Sequence, residues 1–235
     1  MKKLLFLAII TIVLQNLVVS NSYGKNIKIY EKNTKIKDFA TTKKLAHSGN
    51  IEAQYHLGFY YWANKSFPKH YEKAVKWFKK AATQGHAKAQ FELGMCYMQG
   101  EGVSKSYKES AKWFKKAAEQ GHAEAQCFLG ECYSDGQGVS KNFAKAIKWY
   151  KKAALQGNLH AQLQLGACYA IKDNYEKSIK WYKKAAEQGH AEAQYLLGVF
   201  YALGKGVPKN DTEAKKWFRM AARQGHPKAK RLFEK

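Results

Sequence analysis

Apolar and polar positions along this chain follow a helical spacing that recurs. Ala125, Leu129, Cys132 and Tyr133 fall at i, i+4, i+7 and i+8, the apolar stripe of a first helix. A second stripe, Tyr71, Ala74, Val75, Phe78, Ala81 and Ala82, predicts a second helix with Lys73, Lys76 and Lys80 on its opposite side. Glycine-rich turns join the two: Gly100-Glu-Gly-Val103, Gly136-Gln-Gly-Val139 and Gly204-Lys-Gly-Val-Pro208. They suit a left-handed helix stop followed by a turn. Gly49, Gly85, Gly121, Gly157, Gly189 and Gly225 set the period, 36 residues throughout except for one gap of 32. A fixed period in this range predicts an all-α chain of tandem antiparallel helix pairs, an α-solenoid.

The repeats run over about 50–85, 86–121, 122–157, 158–189 and 190–225, inside one domain spanning 38–235. The fourth is short because Tyr169 reaches Tyr175 without the glycine loop, which places the deletion between the helices. Leu45 and Ala46 match Ala81 and Ala82, so residues 38–48 are expected to cap the stack as a worn half-unit. The stretch after Gly225 keeps only a first helix and is polar, as a terminal cap must be. Gly58, Gly94, Gly130, Gly166 and Gly198 lie inside first helices, where glycine costs about 1 kcal/mol against alanine. A neighbouring helix is expected to pack close over each of them.

The N-terminus changes the setting. Lys2 and Lys3 precede an uncharged apolar run, Leu4 to Leu14, and Ser20, Ser22 and Gly24 offer small residues for cleavage. This pattern predicts a secretory signal over 1–24, too short for a membrane span, and an exported chain, periplasmic or secreted. A basic arm over 25–37 follows. The formal net charge is +23, which in another setting suggests nucleic acid. For an exported chain, acidic polymers, membrane surfaces and proteins are the expected neighbours, and no nucleic-acid partner is expected.

Cys96, Cys132 and Cys168 occupy one repeat position. Equivalent helices in a stack lie roughly 8–10 Å apart, whereas a disulfide needs Cα atoms within about 7 Å. These thiols are expected to stay reduced as small apolar core residues. No Cys-x-x-Cys spacing is present, and neither a metal site nor a cofactor is expected.

The pattern Ala-Gln-x-x-Leu-Gly-x-x-Tyr, then Gly-x-Gly-Val, then Ala-x-x-Trp-Phe/Tyr-x-x-Ala-Ala-x-x-Gly resembles the Sel-one-like repeat family, relatives of the tetratricopeptide repeat. The resemblance covers about residues 50–235 in five copies. It implies a right-handed superhelix whose first helices line a concave surface, and a protein-binding scaffold or adaptor rather than an enzyme. One branch, the cysteine-rich exported proteins of Helicobacter, has been linked to penicillin binding and β-lactamase activity, which is the alternative reading. That branch carries a cysteine near the end of each second helix. Here Ala82, Ala118, Ala154, Ala186 and Ala222 stand there, so its disulfides and its activity are not expected to carry over.

Candidate chemistry is sparse. His86, His122, His190 and His226 follow the repeat glycines, with Asn50 and Asn158 in the same place, which predicts helix caps rather than ligands. Ser66-Phe-Pro-Lys69 matches a Ser-x-x-Lys pattern but lacks the companion motifs of penicillin-recognising enzymes. The recurring Trp77, Trp113, Trp149, Trp181 and Trp217 flank the buried stripe and are expected to pack between repeats. The stronger candidate is the first-helix face two, six and nine residues after each buried alanine. Tyr55, Phe59, Trp62, Phe91, Met95, Met98, Leu163, Tyr195 and Val199 make it apolar, with Glu131 available to a basic guest. Such a face is expected either to form a groove for a peptide or helix of a partner or to pack against the adjoining second helix or beneath residues 25–45.

Overall fold

Alanine pairs let helices approach, and single aromatic residues fill what is left. Those two choices recur in every repeat and set the architecture. A computed structural model of the chain describes residues 39–63 and 68–233. The basic arm and the signal-like segment lie outside the described residues. Among the described residues there are twelve helices and no strand. Helix α1 (Phe39–His47) precedes α2 (Ile51–Ala63), α3 (Pro68–Thr83), α4 (Ala87–Gln99), α5 (Tyr107–Glu119) and α6 (Ala123–Asp135). Then follow α7 (Phe143–Leu155), α8 (Leu159–Ile171), α9 (Tyr175–Glu187), α10 (Ala191–Leu203), α11 (Asp211–Arg223) and α12 (Pro227–Lys230). The fold is all-α, of the α-solenoid class. Its contacts divide the chain between Ala146 and Ile147, within α7, into two bodies.

In the first body α2 packs on α3 and α4 on α5, and each second helix packs on the next first helix. Phe78 and Phe114 are fully buried at the centre of their pairs. A Cβ on Gly94 would stand 2.6 Å from Cδ1 and Cε1 of Phe114, and one on Gly58 2.6 Å from Cδ1 of Phe78. The interior glycines are there because a ring lies flat against the backbone, as the sequence predicts. Among loop glycines, Gly102 sits at φ 69° against the backbone of Tyr71. It is excluded from alternatives twice over, by its left-handed conformation and by lack of room.

In the second body α8 packs on α9, α10 on α11, and α9 on α10. Its core gathers Leu163, Ile179, Tyr182, Ala186, Leu197, Phe200 and Trp217. The shortened repeat keeps both helices at 13 residues. The chain turns through Asp173 at φ 56°, and Asn174 caps α9 by accepting the Lys177 amide at 3.3 Å. Asp tolerates the left-handed region better than most residues, so one residue does the work of the glycine loop. Helix α12 is a single turn opened by Pro227 at its first position and capped by His226.

Candidate functional site

The first helices start the same way. The imidazole Nδ1 of His86, His122, His190 and His226 accepts the amide of Ala89, Ala125, Ala193 and Ala229 at 3.0, 3.3, 3.4 and 3.1 Å. Asn50 and Asn158 accept the matching amides at 2.9 Å. Capping through Nδ1 requires the neutral ring, with the proton on Nε2. Gly100, Gly136 and Gly204 close α4, α6 and α10 in the left-handed conformation.

The expected groove residues are placed differently from an open groove. Tyr55, Phe59, Trp62, Phe91, Met95 and Leu163 are buried. The residue two after the buried alanine meets the cap of the following repeat: Tyr55 lies on His86 at 4.7 Å, and Phe91 stacks on His122 at 4.9 Å. Tyr195 stacks on His226 at 4.5 Å. Trp62 donates its Nε1–H to Glu101 Oε2 at 3.0 Å. Within each body the following repeat packs against this one, so stacking uses an apolar face that a single repeat would leave open. Met98, Glu131, Tyr195 and Val199 keep partial access to solvent.

What remains accessible on the first helices differs between repeats. In the first body it includes Glu52, His56, Lys88, Glu92, Glu124, Phe128 and Glu131, along with Ile51, Tyr60 and Met98. Glu52 reaches His86 Nε2 at 2.9 Å and His56 Nε2 at 3.3 Å. Burial lowers the His56 pKa against the opposing pull of Glu52. It also lowers that of His122, with Lys88 and His86 adding to the effect and Glu124 opposing it. Burial raises the Glu92 carboxyl to about 8, helped by Glu124 and Glu101, so that it is largely protonated at neutral pH. In the second body Glu192 and His226 form a well-buried pair at 2.8 Å. There the His190 pKa is lowered by burial and by His160.

A ladder of glutamines supplies what the sequence pattern concealed. Gln90 is buried; its Nε2 donates to the Ala82 carbonyl at 3.0 Å, and its Oε1 accepts from Gln120 Nε2 at 2.7 Å. Gln54 and Gln84 repeat the arrangement in the first body, as do Gln162 with Gln188 and Gln194 with Gln224 in the second. Each amide thus ties the end of one repeat to the start of the next. The recurring Ala-Gln and Gln-Gly pairs were the available signal.

Cys96, Cys127, Cys132 and Cys168 are free and buried. Burial pushes the Cys132 and Cys168 thiols up to about 12, which leaves no thiolate at neutral pH. Ser66 and the Lys69 side chain fall outside the described residues. The first-helix row offers recognition chemistry: carboxylates, imidazoles and an aromatic ring on rigid helices.

Comparison with known proteins adds a family. A family model described as the Sel1 repeat matches residues 51–86, 87–122, 123–158, 159–190 and 191–226. Among solved structures, the chain is similar to c5321, a protective antigen of uropathogenic Escherichia coli with an SLR fold, at 37% identity and a TM-score of 0.79. That alignment covers 82% of this chain but 42% of the antigen, so the chain spans less than half of its length. A Sel1 repeat protein from Oxalobacter formigenes is similar at 33% identity and a TM-score of 0.69, over 82% of this chain and 86% of that one. Comparison with curated proteins gives no match.

Proposed function

Because the chain belongs to the Sel1 repeat family, whose members are generally protein-interaction scaffolds, we propose that it holds a protein partner along the accessible row of its first helices. One observation carries this reading. A framework of small and glutamine positions is constant from repeat to repeat, whereas the accessible position before the framework alanine is not. The framework repeats Ala-Gln, Leu-Gly and Ala-Ala at every step. The position before the framework alanine, accessible in every repeat, instead runs Glu52, Lys88, Glu124, His160, Glu192; the position three after it runs His56, Glu92, Phe128 in the first body and turns inward as the buried Gln164 and Leu196 in the second. Stacking needs sameness, whereas recognition of one particular partner needs a particular order of groups. The guest lies against polar and ionisable side chains bordered by Met98, Phe128, Glu131 and Val199, not in a deep apolar trough.

We also propose export, supported by the basic-then-apolar segment over residues 2–24. Mass spectrometry of the chain purified from its native cell is expected to show an N-terminus near residues 20–24.

The partner reading is tested with a photo-crosslinking residue in place of Phe128 and, separately, in place of Lys148. Capture of one defined protein through position 128 and not through 148, lost on Glu131→Lys, is the expected result. Equal capture from both positions, or capture indifferent to Glu131→Lys, would show that the first-helix row is not the binding face.

A further inference from the structure

Every second helix carries the same short run. It reads Lys76-Trp77-Phe78-Lys79-Lys80, Lys112-Trp113-Phe114-Lys115-Lys116, Lys148-Trp149-Tyr150-Lys151-Lys152 and Lys180-Trp181-Tyr182-Lys183-Lys184, with Lys216-Trp217-Phe218-Arg219 as a fifth, altered copy. The indoles are taken up by packing. Trp113 joins Val75, Phe78 and Ala82 of the preceding second helix, and Trp217 joins Ile179, Tyr182 and Ala186.

The lysine three residues after each indole lies over the ring, at 4.4 Å for Lys80, 4.4 Å for Lys116, 4.5 Å for Lys152 and 5.1 Å for Lys184. A cation over an indole face is held there, and its alkyl chain covers apolar surface. One ammonium group per helix therefore stands at a set position over a rigid ring, with two more lysines of the run beside it. On α3 they border a shallow cavity of about 460 Å³, floored by Trp77 and rimmed by Lys73, Lys76, Lys79, Lys80 and Thr83. Lys112 and Lys115 are ion-paired within their own helix, at 3.5 and 3.8 Å. Lys76, Lys79 and Lys80 have no carboxylate partner among the described residues, and α7 contains no acidic residue.

We propose that these second-helix faces bind a linear polyanion without bases, a polymer with a phosphate or carboxylate on each unit. Charge complementarity and repetition at the repeat period carry the assignment. A nucleic-acid surface would offer rings on which bases stack, and the rings of this run are buried except Trp149 and Phe218, which are half-buried. A membrane-docking face would pair its lysines with apolar side chains free to insert, and the indoles are committed to the stack. The cations are nearly all lysine, point charges that suit anions of varied geometry rather than forks that read one.

The test uses the purified full chain with long-chain inorganic polyphosphate, followed by tryptophan emission and by anisotropy of labelled polymer. Binding is expected to perturb the emission, because one lysine of each run lies over its indole. It is also expected to weaken linearly on a log–log plot against salt. Lys148→Gln, Lys151→Gln and Lys152→Gln together should cut affinity about tenfold and the salt slope by about two, given about 0.7 counterion released per neutralised charge on a single-stranded polyanion. The corresponding triple arginine variant should bind as the parent does, with both variants unchanged by circular dichroism. The proposal is overturned by no binding, by binding indifferent to the glutamine variant, or by tighter binding of single-stranded RNA or phosphatidylglycerol vesicles than of polyphosphate.

Discussion

Replacing Gln90 by alanine isolates the ladder that joins repeat to repeat. Two hydrogen bonds disappear, one donated to the Ala82 carbonyl and one accepted from Gln120. The Ala82 carbonyl keeps the Gly85 amide at 3.1 Å, so it is not orphaned. The freed Gln120 amide is exposed and turns to water. The cost is then about 1 kcal/mol for each of the two bonds. Packing around a side chain that is 4% exposed adds up to about 1 kcal/mol more. The sum is about 2–3 kcal/mol. Gln120→Ala loses the outer bond and leaves the buried Gln90 oxygen without that donor, so it should cost about 1–3 kcal/mol. Urea unfolding followed by circular dichroism reads both variants, and the double variant should show a coupling of about 1 kcal/mol between the two sites. No coupling would mean that the ladder is an accessory of the stack and not a fastening.

Two further perturbations probe other parts of the framework. Gly94→Ala drives a Cβ into the Phe114 ring; overpacking of about 1–3 kcal/mol, offset by about 1 kcal/mol of helix propensity, should leave a net loss of about 1–2 kcal/mol. Phe114→Leu in the same chain should relieve part of that loss, and strict additivity in urea unfolding would contradict the close approach. The second concerns acid. His122 and His190 have pKa values lowered by burial, so the unfolded chain binds their protons first. Their stabilisation is complete above about pH 6.5 and is lost as pH falls from there toward the folded-state values. His122→Asn with His190→Asn keeps the caps, as Asn158 does, and should flatten this part of the pH–stability curve relative to the parent. An unchanged slope between pH 6.5 and 5 would remove the histidines as its cause.

The helices and their period were legible because each repeat states them again. The interior glycines, the cap histidines and the turn of the short fourth repeat also followed from local spacing, and the structure gives each a contact: a flat ring at Gly94, an amide on Nδ1, Asp173 beyond the end of α8. The first-helix face was misread because a helical wheel knows only one core. It places Tyr55, Phe59 and Phe91 away from the stripe shared with the partner helix, and that is correct within one hairpin. It has no term for the next hairpin, whose His86 or His122 covers the ring. The glutamines were passed over for a related reason: polar residues beside turn glycines read as punctuation, and only the stacked form shows one amide bonded in two directions.

The same contrast separates structure from use. Some stacking side chains stay fixed because the surface they meet recurs at each step: glutamine on a carbonyl, glycine on a ring, tryptophan on the previous helix. Two surfaces escape that requirement, and they escape it differently. The second-helix lysines are exposed and nearly uniform, which suits a ligand that is itself a repeat of one charge. The first-helix row is accessible and irregular, and it gathers Glu52, Glu124 and Glu131 in a chain with 41 basic and 18 acidic residues. Those carboxylates repel the polymer that the lysines attract, so the two surfaces cannot compete for one ligand. A protein guest with basic groups opposite this row would thus bind independently of a polyanion lying along the second helices.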